Sequence, residues 1–581
     1  MEKYDSKMMS KDIAHVEDNK SNSSPDPEVA SILKDEFSKG QSSVEVDNFI
    51  DQMERDLAPV ARGPGFFRPT LNDPRHLTWI MVTFASMGGI LFGLDQSLIS
   101  GANITMPAEL GFNTKQVSWI NSFMPLGAVF GSFLLGPANE YLGRRGAIIL
   151  STIFYTVGAA LEAGAINFGM MITGRLILGV GLGIEVGTVP VYVAESVGRK
   201  VRGNLVSLYQ FNIALGEVLG FVVAAIFIKV ESSWRFILGS SLLFSTIMFV
   251  GMLFLPESPR FLMHQGKSLE AYEIWKRIRG IEAEEARWEF FIMAQTVLEE
   301  RQQNESRKSH SRPVWMDFIF VPRARRAFIY ANTMMLLGQF VGINGIMYYM
   351  SVLMSQIGFN TVDATYMSMV GGGALFLGTI PAILYMEKFG RRFWANTMLP
   401  GFFIGLVIIA ASYMIPLNPE TQHKVEGLYI TGLILYMGFY GPYACLTWVI
   451  PSEVYPTYLR SYGMMFSDGA VNLGNFIITF TFTDMQKAMT KQGLTLGFFG
   501  GIAALGFVYQ IVFMPETKDR TLEEIELVFA KPTRQLAREN IAATAKCVKQ
   551  LCTFRFREAF SNVGGSSKDG ERRVYDNSPI V

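Results

Sequence analysis

Residues 236–255, FILGSSLLFSTIMFVGMLFL, hold no charged side chain from one end to the other. At 1.5 Å per residue such a run reaches across a hydrocarbon core about 30 Å thick. Backbone polar groups in lipid must be satisfied within the chain, so the run predicts a membrane-spanning helix. A second run, 146-GAIILSTIFYTVGAALEAGAINFGMMI-172, reads the same way but encloses one acidic residue, Glu162. Working outward, apolar runs and their charged breaks place twelve spans at about 77–102, 117–138, 146–166, 169–193, 204–228, 235–255, 326–350, 364–386, 394–415, 427–450, 461–484 and 494–514. The fold class expected is an all-α membrane protein.

Composition agrees. Of 581 residues 49% are hydrophobic and 18% charged, against about 25% charged in an ordinary soluble domain. The 51 basic and 51 acidic residues cancel, and no lysine-rich run interleaves with aromatics, which argues against nucleic acid as a partner. Cys445, Cys547 and Cys552 with five scattered histidines form neither a disulfide framework nor a metal site. No cofactor loop and no nucleophile–base set is present, so neither a cofactor nor an enzyme is expected.

Three polar regions frame the spans: a tail at 1–76, a linker at 256–325 and a second tail at 515–581. They delimit two six-span halves, 77–255 and 326–514. The first tail has no basic start followed by an apolar stretch and a small-residue cleavage site, so no cleaved signal peptide is expected. Short loops after spans two, four, eight and ten collect Arg144 and Arg145; Arg199, Lys200 and Arg202; Lys388, Arg391 and Arg392; and Arg460. By the positive-inside rule those loops, the linker and both termini lie in the cytoplasm. The linker is charged and helix-prone (268-SLEAYEIWKRIRGIEAEEARWEFF-291) and predicts a cytoplasmic helical domain.

The halves repeat. GRR occurs at 143–145 and 390–392, Glu195 to Arg202 recurs as Glu453 to Arg460, and PESPR (256–260) returns as PETK (515–518), at offsets of 247, 258 and 259. Paired elements in one order at a near-constant offset indicate duplicated architecture. Parallel six-span repeats around a midplane site are a transporter plan.

Ionisable residues inside apolar runs cost several kcal/mol unless paired or wetted, which makes each a functional candidate. They are Asp95, Glu162, Arg175, Glu185, Glu217 and Asp468. Asp95 sits in 88-GGILFGLDQSLISGA-102, where four glycines permit bending or close packing. Arg175, the basic residue of span four, is its natural partner, either as a static ion pair or as a pair that opens when the carboxylate takes a proton.

Uncharged polar groups among aromatics suit a neutral polyhydroxy ligand. Span seven offers Gln339, Asn344 and Tyr348 in 339-QFVGINGIMYY-349. On a regular helix Gln339 and Asn344 stand about 140° apart, so local unwinding at the glycine is needed to bring both to one site. Span five adds Gln210 and Glu217, and span ten adds Trp448, whose other reading is an interfacial belt tryptophan. At the cytoplasmic ends Glu140 with Arg144 and Arg145, Glu195 with Arg202, Glu387 with Arg391 and Arg392, and Glu453 with Arg460 can form charge networks that close one side in one state. Asn103-Ile104-Thr105 is a glycosylation sequon, close enough to the membrane to argue against its use.

GRR, PVYVAES…RG (190–203), PESPR, QFVGIN…YY, PSEVYP…R (451–460) and PETK together resemble the sugar porter family of the major facilitator superfamily over roughly residues 77–530. The resemblance implies twelve helices in two six-helix halves with a cytoplasmic helical domain between them, and alternating-access transport of monosaccharides or polyols. The long tails are similar to those of fungal members. Asp95 matches the aspartate that accompanies proton coupling in the family and Arg175 its partner. Gln210, Gln339, Asn344, Tyr348 and Trp448 match sugar-lining positions.

Departures bear on substrate. Gly338-Gln339 replaces two adjacent glutamines, Glu217 stands where a second span-five glutamine is common, and Val471 and Asn472 stand where glutamine and tryptophan often occur. The pair Gly441-Pro442 lies three residues further upstream of the tryptophan than usual. A carboxylate among hydroxyl-reading groups argues against assuming glucose; inositol, a pentose or another sugar fits as well. The expectation is a multi-pass plasma-membrane proton symporter, with a facilitator or a non-transporting sugar sensor as alternatives.

Overall fold

The computed structural model describes residues 42–57, 74–196, 202–281, 286–295, 297, 313–456, 459–518, 525 and 528–553. Helices dominate throughout, and among the described residues no strand occurs. Two compact units divide the chain: Met1–Pro64 with Ile281–Thr296, and Gly65–Gly280 with Val297–Val581. In the first, helix Ser42–Leu57 sets Phe49 against Phe290 and Phe291 and pairs Asp47 with Arg287 at 2.8 Å. The stretches involved come from the polar N-terminal region and the central linker.

The second unit holds the spans. We label them α1 (Pro74–Leu110), α2 (Thr114–Tyr141), α3 (Gly143–Ala163), α4 (Phe168–Ser196), α5 (Arg202–Phe227), α6 (Ser233–Phe254), α7 (Pro322–Tyr348 with Met350–Gln356), α8 (Thr361–Phe389), α9 (Arg391–Ser412), α10 (Gln422–Val454), α11 (Arg460–Gln492) and α12 (Gly493–Gly500 with Gly501–Phe513). Ten apolar helical runs among the described residues are long enough to cross a membrane, and the bent pair of α7 makes an eleventh. One of the ten, Arg460–Phe513, has 54 residues. That is about 80 Å of helix, more than two crossings of a hydrocarbon core about 30 Å thick. The chain turns inside it at Thr490 (φ 62°, ψ 166°), so α11 and α12 are separate spans and the total is twelve. Several helices overrun the expected apolar cores, as α1 does to Leu110 and α10 to Val454, because helical hydrogen bonding continues past the apolar run.

Close packing builds each half. Gly127 and Gly131 of α2 lie against Gly179 and Gly183 of α4, backbone to backbone, the small-residue contact that replaces the hydrophobic effect between helices in lipid. In the linker, helix Ser268–Arg279 buries Ala271, Tyr272, Trp275 and Ile278, one face of a helix. The stretch after α12 includes a helix too, Thr533–Cys552, held by Asn540 Nδ2 donating to Val512 O at 3.0 Å.

α7 is broken where unwinding is needed. Its first piece ends at Phe340, Gly342 takes φ 94°, and the helix resumes at Ile343. Phe499 packs against Gly342 where a Cβ would stand, so both the backbone angle and the space require glycine. The segment Met350–Gln356 then leaves at 70° to the preceding helix.

Candidate functional site

At the centre of the first half, three charged side chains from three helices meet. Arg175 of α4 donates from Nη1 to Asp95 Oδ1 at 2.5 Å and from Nη2 to Asp95 Oδ2 at 3.0 Å, a two-pronged contact with α1. Its Nε donates to Ile120 O of α2 at 3.2 Å. Glu162 of α3 brings Oε2 to 3.5 Å from the same Nη1. Arg175 is 0% exposed, Asp95 3% and Glu162 2%. Glu162 reaches this place because Gly174 presents no side chain to it: a Cβ there would press on Glu162 Cγ at 2.9 Å and on Gly158 O at 3.0 Å. Planar guanidinium suits a bidentate carboxylate contact, and a buried ion repays its desolvation only with such geometry.

The neutral groups form hydrogen-bonded sets of their own. Unwinding in α7 lets Asn344 Nδ2 donate to Gln339 Oε1, while Gln96 Nε2 of α1 donates to Asn344 Oδ1 at 3.1 Å. Trp448 Nε1 of α10 donates to Gln210 Oε1 of α5 at 2.8 Å, with Tyr209 edge-on to the indole at 5.8 Å. Trp448 is 8% exposed and lies within the bundle, which removes the belt reading. Tyr348 is wholly buried, with its hydroxyl near Met124 Sδ and its carbonyl accepting from Asn103. Glu217 is buried and its Oε2 has no hydrogen-bond partner; neither oxygen of buried Glu185 has one.

Most contacts between the halves are neutral. Besides Gln96–Asn344 and Gln210–Trp448, they include Ser100 with Ser351 at 3.3 Å, Ser118 with Thr483 at 3.3 Å and Asn103 with the Tyr348 carbonyl at 3.2 Å. Ser132 of α2 donates to Asp468 of α11 at 2.5 Å, and Asn472 adds a bond at 3.1 Å. The sequon asparagine is therefore inside the protein: Asn103 also donates to Asn121 at 3.0 Å, and Thr105 bonds Ser233.

At the GRR end each half has a charged cluster. Arg144 donates to Glu195 at 2.9 Å, and Ser258 donates to the other oxygen of Glu195. Arg145 donates to the carbonyls of Met252 and Leu253, while its N–H donates to Glu257 at 3.0 Å. Burial pushes the Glu257 carboxyl above its ordinary value, opposed by the N–H groups of Arg145 and Ser258. In the second half Arg391 donates to Glu453 at 2.6 Å and Thr517 to Glu453 at 2.8 Å. The N–H groups of Arg391 and Arg392 donate to Glu516, both at 3.0 Å.

Two of these contacts reach further than neighbours along the chain. Arg144 and Arg391 reach across to glutamates on another helix, 51 and 62 residues away. Glu140 is exposed and outside the cluster, and Arg460 donates to the Tyr455 carbonyl at 3.5 Å. The side chains of Arg202 and Glu387, like Arg199 and Lys200, lie outside the described residues. Gln96, Ser132 and Glu257 were not among the candidates, although Gln96 adjoins Asp95 in the glycine-rich run and Glu257 lies in PESPR.

Comparison with known proteins places this geometry in context. Residues 81–529 match the family described as sugar (and other) transporter. The chain is 62% identical over 518 residues to the myo-inositol transporter FST1 of Gibberella moniliformis, covering 89% of this chain and 90% of that one. It is 27% identical over 535 residues to the human proton myo-inositol cotransporter, covering 78% and 82%. Among solved structures, the proton:xylose symporter XylE bound to 6-bromo-6-deoxy-D-glucose aligns with a TM-score of 0.66 at 22% identity, over 79% of this chain and 100% of that one. At that identity the likeness speaks for the fold: two six-helix halves of the major facilitator kind.

Proposed function

This chain belongs to the sugar transporter family of the major facilitator superfamily, and on that premise we propose that it imports a neutral cyclic polyol, myo-inositol first among candidates, together with a proton. The observation that carries the coupling is the buried, two-pronged contact between Asp95 and Arg175. A proton arriving from outside binds an Asp95 carboxylate oxygen, the aspartate loses the charge that held the guanidinium, and α1 and α4 are free to shift with the halves. Release of that proton inside restores the pair.

Substrate chemistry follows from the neutral groups. Gln210, Gln339, Asn344, Tyr348 and Trp448 supply donors, acceptors and an aromatic face, the requirements of a ring bearing hydroxyls. Glu217 adds an acceptor-only carboxylate suited to a pair of neighbouring hydroxyls. The 62% identity to a myo-inositol transporter supports the same substrate class here. The clusters of Arg144, Arg145 and Glu195 and of Arg391, Arg392, Glu453 and Arg460 act at the cytoplasmic side, the assignment that the distribution of lysine and arginine supports. Both termini then lie inside, and the plasma membrane is the location.

One observation favours a second reading: Arg175 is held at three points, twice by Asp95 and once by the Ile120 carbonyl, as a static structural pair in a facilitator would be. Uptake of labelled inositol, hexoses, pentoses and linear polyols in cells lacking their own carriers decides between them. Accumulation of inositol that strengthens at acid outside pH and collapses with a protonophore is the expected result. Equilibration indifferent to both makes the protein a facilitator, and binding without uptake makes it a sensor.

A further inference from the structure

Arg175 faces two carboxylates, and the proposed mechanism uses one. Its Nη1 stands 2.5 Å from Asp95 and 3.5 Å from Glu162, while the other Glu162 oxygen, Oε1, is buried without a hydrogen-bond partner. The titratable groups acting on the guanidinium are Asp95 from α1, Glu162 from α3 and Tyr348 from α7, with Tyr155 of α3 close by and itself near Glu185 of α4; α2 contributes the Ile120 carbonyl. We propose that Glu162 is the second counter-ion of Arg175, receiving the guanidinium when Asp95 takes up the proton.

The charge count gives the reason. With Asp95 and Glu162 ionised the trio carries one net negative charge; a proton from outside bonds to an Asp95 oxygen and brings it to zero. Arg175 keeps all its protons and Glu162 remains a carboxylate, so the loaded state contains a closed Arg175–Glu162 pair. Without Glu162 the same proton leaves Arg175 as an uncompensated buried cation, the state that proteins tolerate least. Glu162 is a positioning residue: it holds the arginine rather than the transported proton. The Nη1 distances of 2.5 Å and 3.5 Å differ by only 1 Å, so exchanging partners asks for a small movement of one side chain.

This inference rests on the proton-coupling reading, and its test separates the two. In Glu162→Gln, proton loading of Asp95 must create a buried cation, so the outside pH for half-maximal uptake moves acid by about one unit or more, with substrate exchange still present at saturating acidity. A merely structural Glu162 lowers uptake alike at every pH, and an unshifted profile overturns the proposal. Glu162→Asp, which keeps the charge but sits a methylene further away, is expected to shift less; if Glu162→Gln does not reach the membrane, Glu162→Ala also removes the charge, and an unshifted profile in it overturns the proposal. Melting of the purified full-length protein gives a readout independent of coupling. Asp95→Asn retains a counter-ion for Arg175 and Asp95→Asn/Glu162→Gln retains none, so the double variant should lose far more melting temperature than the sum of the single losses. Additive losses refute the shared guanidinium. If wild-type uptake is itself indifferent to protons, symport falls while the melting comparison still decides whether Glu162 shares the arginine.

Discussion

At the GRR end Arg144, Glu195, Glu257 and Ser258 of the first half meet in the same pattern as Arg391, Glu453, Glu516 and Thr517 of the second. At the centre the halves part company: the first buries Asp95, Glu162 and Arg175 together, while the second contributes Gln339, Asn344 and Trp448. Duplication has kept the anchors and changed the centre. Arginine–glutamate pairs at one end tie helices of the same half to each other, which makes each half move as one body. The Arg175 ion pairs thus belong to the first half, while the neutral hydrogen-bonding groups come from both, Gln96 and Gln210 from one and Gln339, Asn344 and Trp448 from the other; Asp468, a buried carboxylate of the second half, is held by Ser132 across the seam. Between the halves the bonds are chiefly neutral, each worth about 1 kcal/mol, against about 3–5 kcal/mol for breaking a buried ion pair by removing one partner. Separation of the halves therefore costs less than deformation of either.

Arg175→Leu attacks the asymmetry hardest. It strands two buried carboxylates and should cost about 3–5 kcal/mol of stability, read as a drop in melting temperature, with proton-driven accumulation abolished. Asp95→Asn should remove accumulation while exchange down a gradient persists; accumulation unchanged in that variant would make the pair structural. The symmetry is tested by Arg144→Gln beside Arg391→Gln. Each leaves one glutamate short of its guanidinium, so each should slow transport by about tenfold, and a large inequality between them would show that the matching geometry hides unequal roles. Glu217→Gln should raise KM for inositol by about tenfold and for hexoses by less, measured by competition in the same cells. Ser132→Ala, which removes one neutral donor to Asp468 across the seam, should change exchange rates only about two- to fivefold, the scale of a 0.5–1 kcal/mol bond.

How much of this was legible in the chain depends on range. Apolar runs mark the spans because lipid constrains composition residue by residue, and the break at Gly342 was readable because Gln339 and Asn344 cannot share a side of an unbroken helix. The Asp95–Arg175 contact followed from scarcity, an acid and a base each set in an apolar run. Glu162 as a third member was open in the chain, where Arg175 or neighbouring backbone could equally satisfy it, since periodicity states which face a residue occupies but not which helix that face will meet. For the same reason the contacts of Arg144 with Glu195 and of Arg391 with Glu453, 51 and 62 positions away, were not anticipated. Two helices in the terminal polar regions, Ser42–Leu57 and Thr533–Cys552, were hidden because polar sequence carries little apolar signal, although each has buried residues once it packs.

The bend in α7 gives the two doors of this passage unequal construction. Beyond Gly342 the chain runs as two short helices, Ile343–Tyr348 and Met350–Gln356, fastened across the seam by Gln96, Ser100 and Asn103. That door can swing on a hinge inside a single helix by releasing a few neutral bonds. At the opposite end the described residues show no such break: Arg144 with Glu195 and Arg391 with Glu453 tie helix ends of each half together. Displacing the hinged side therefore breaks only neutral bonds at one bent helix, whereas displacing the other end must move tied helix ends together.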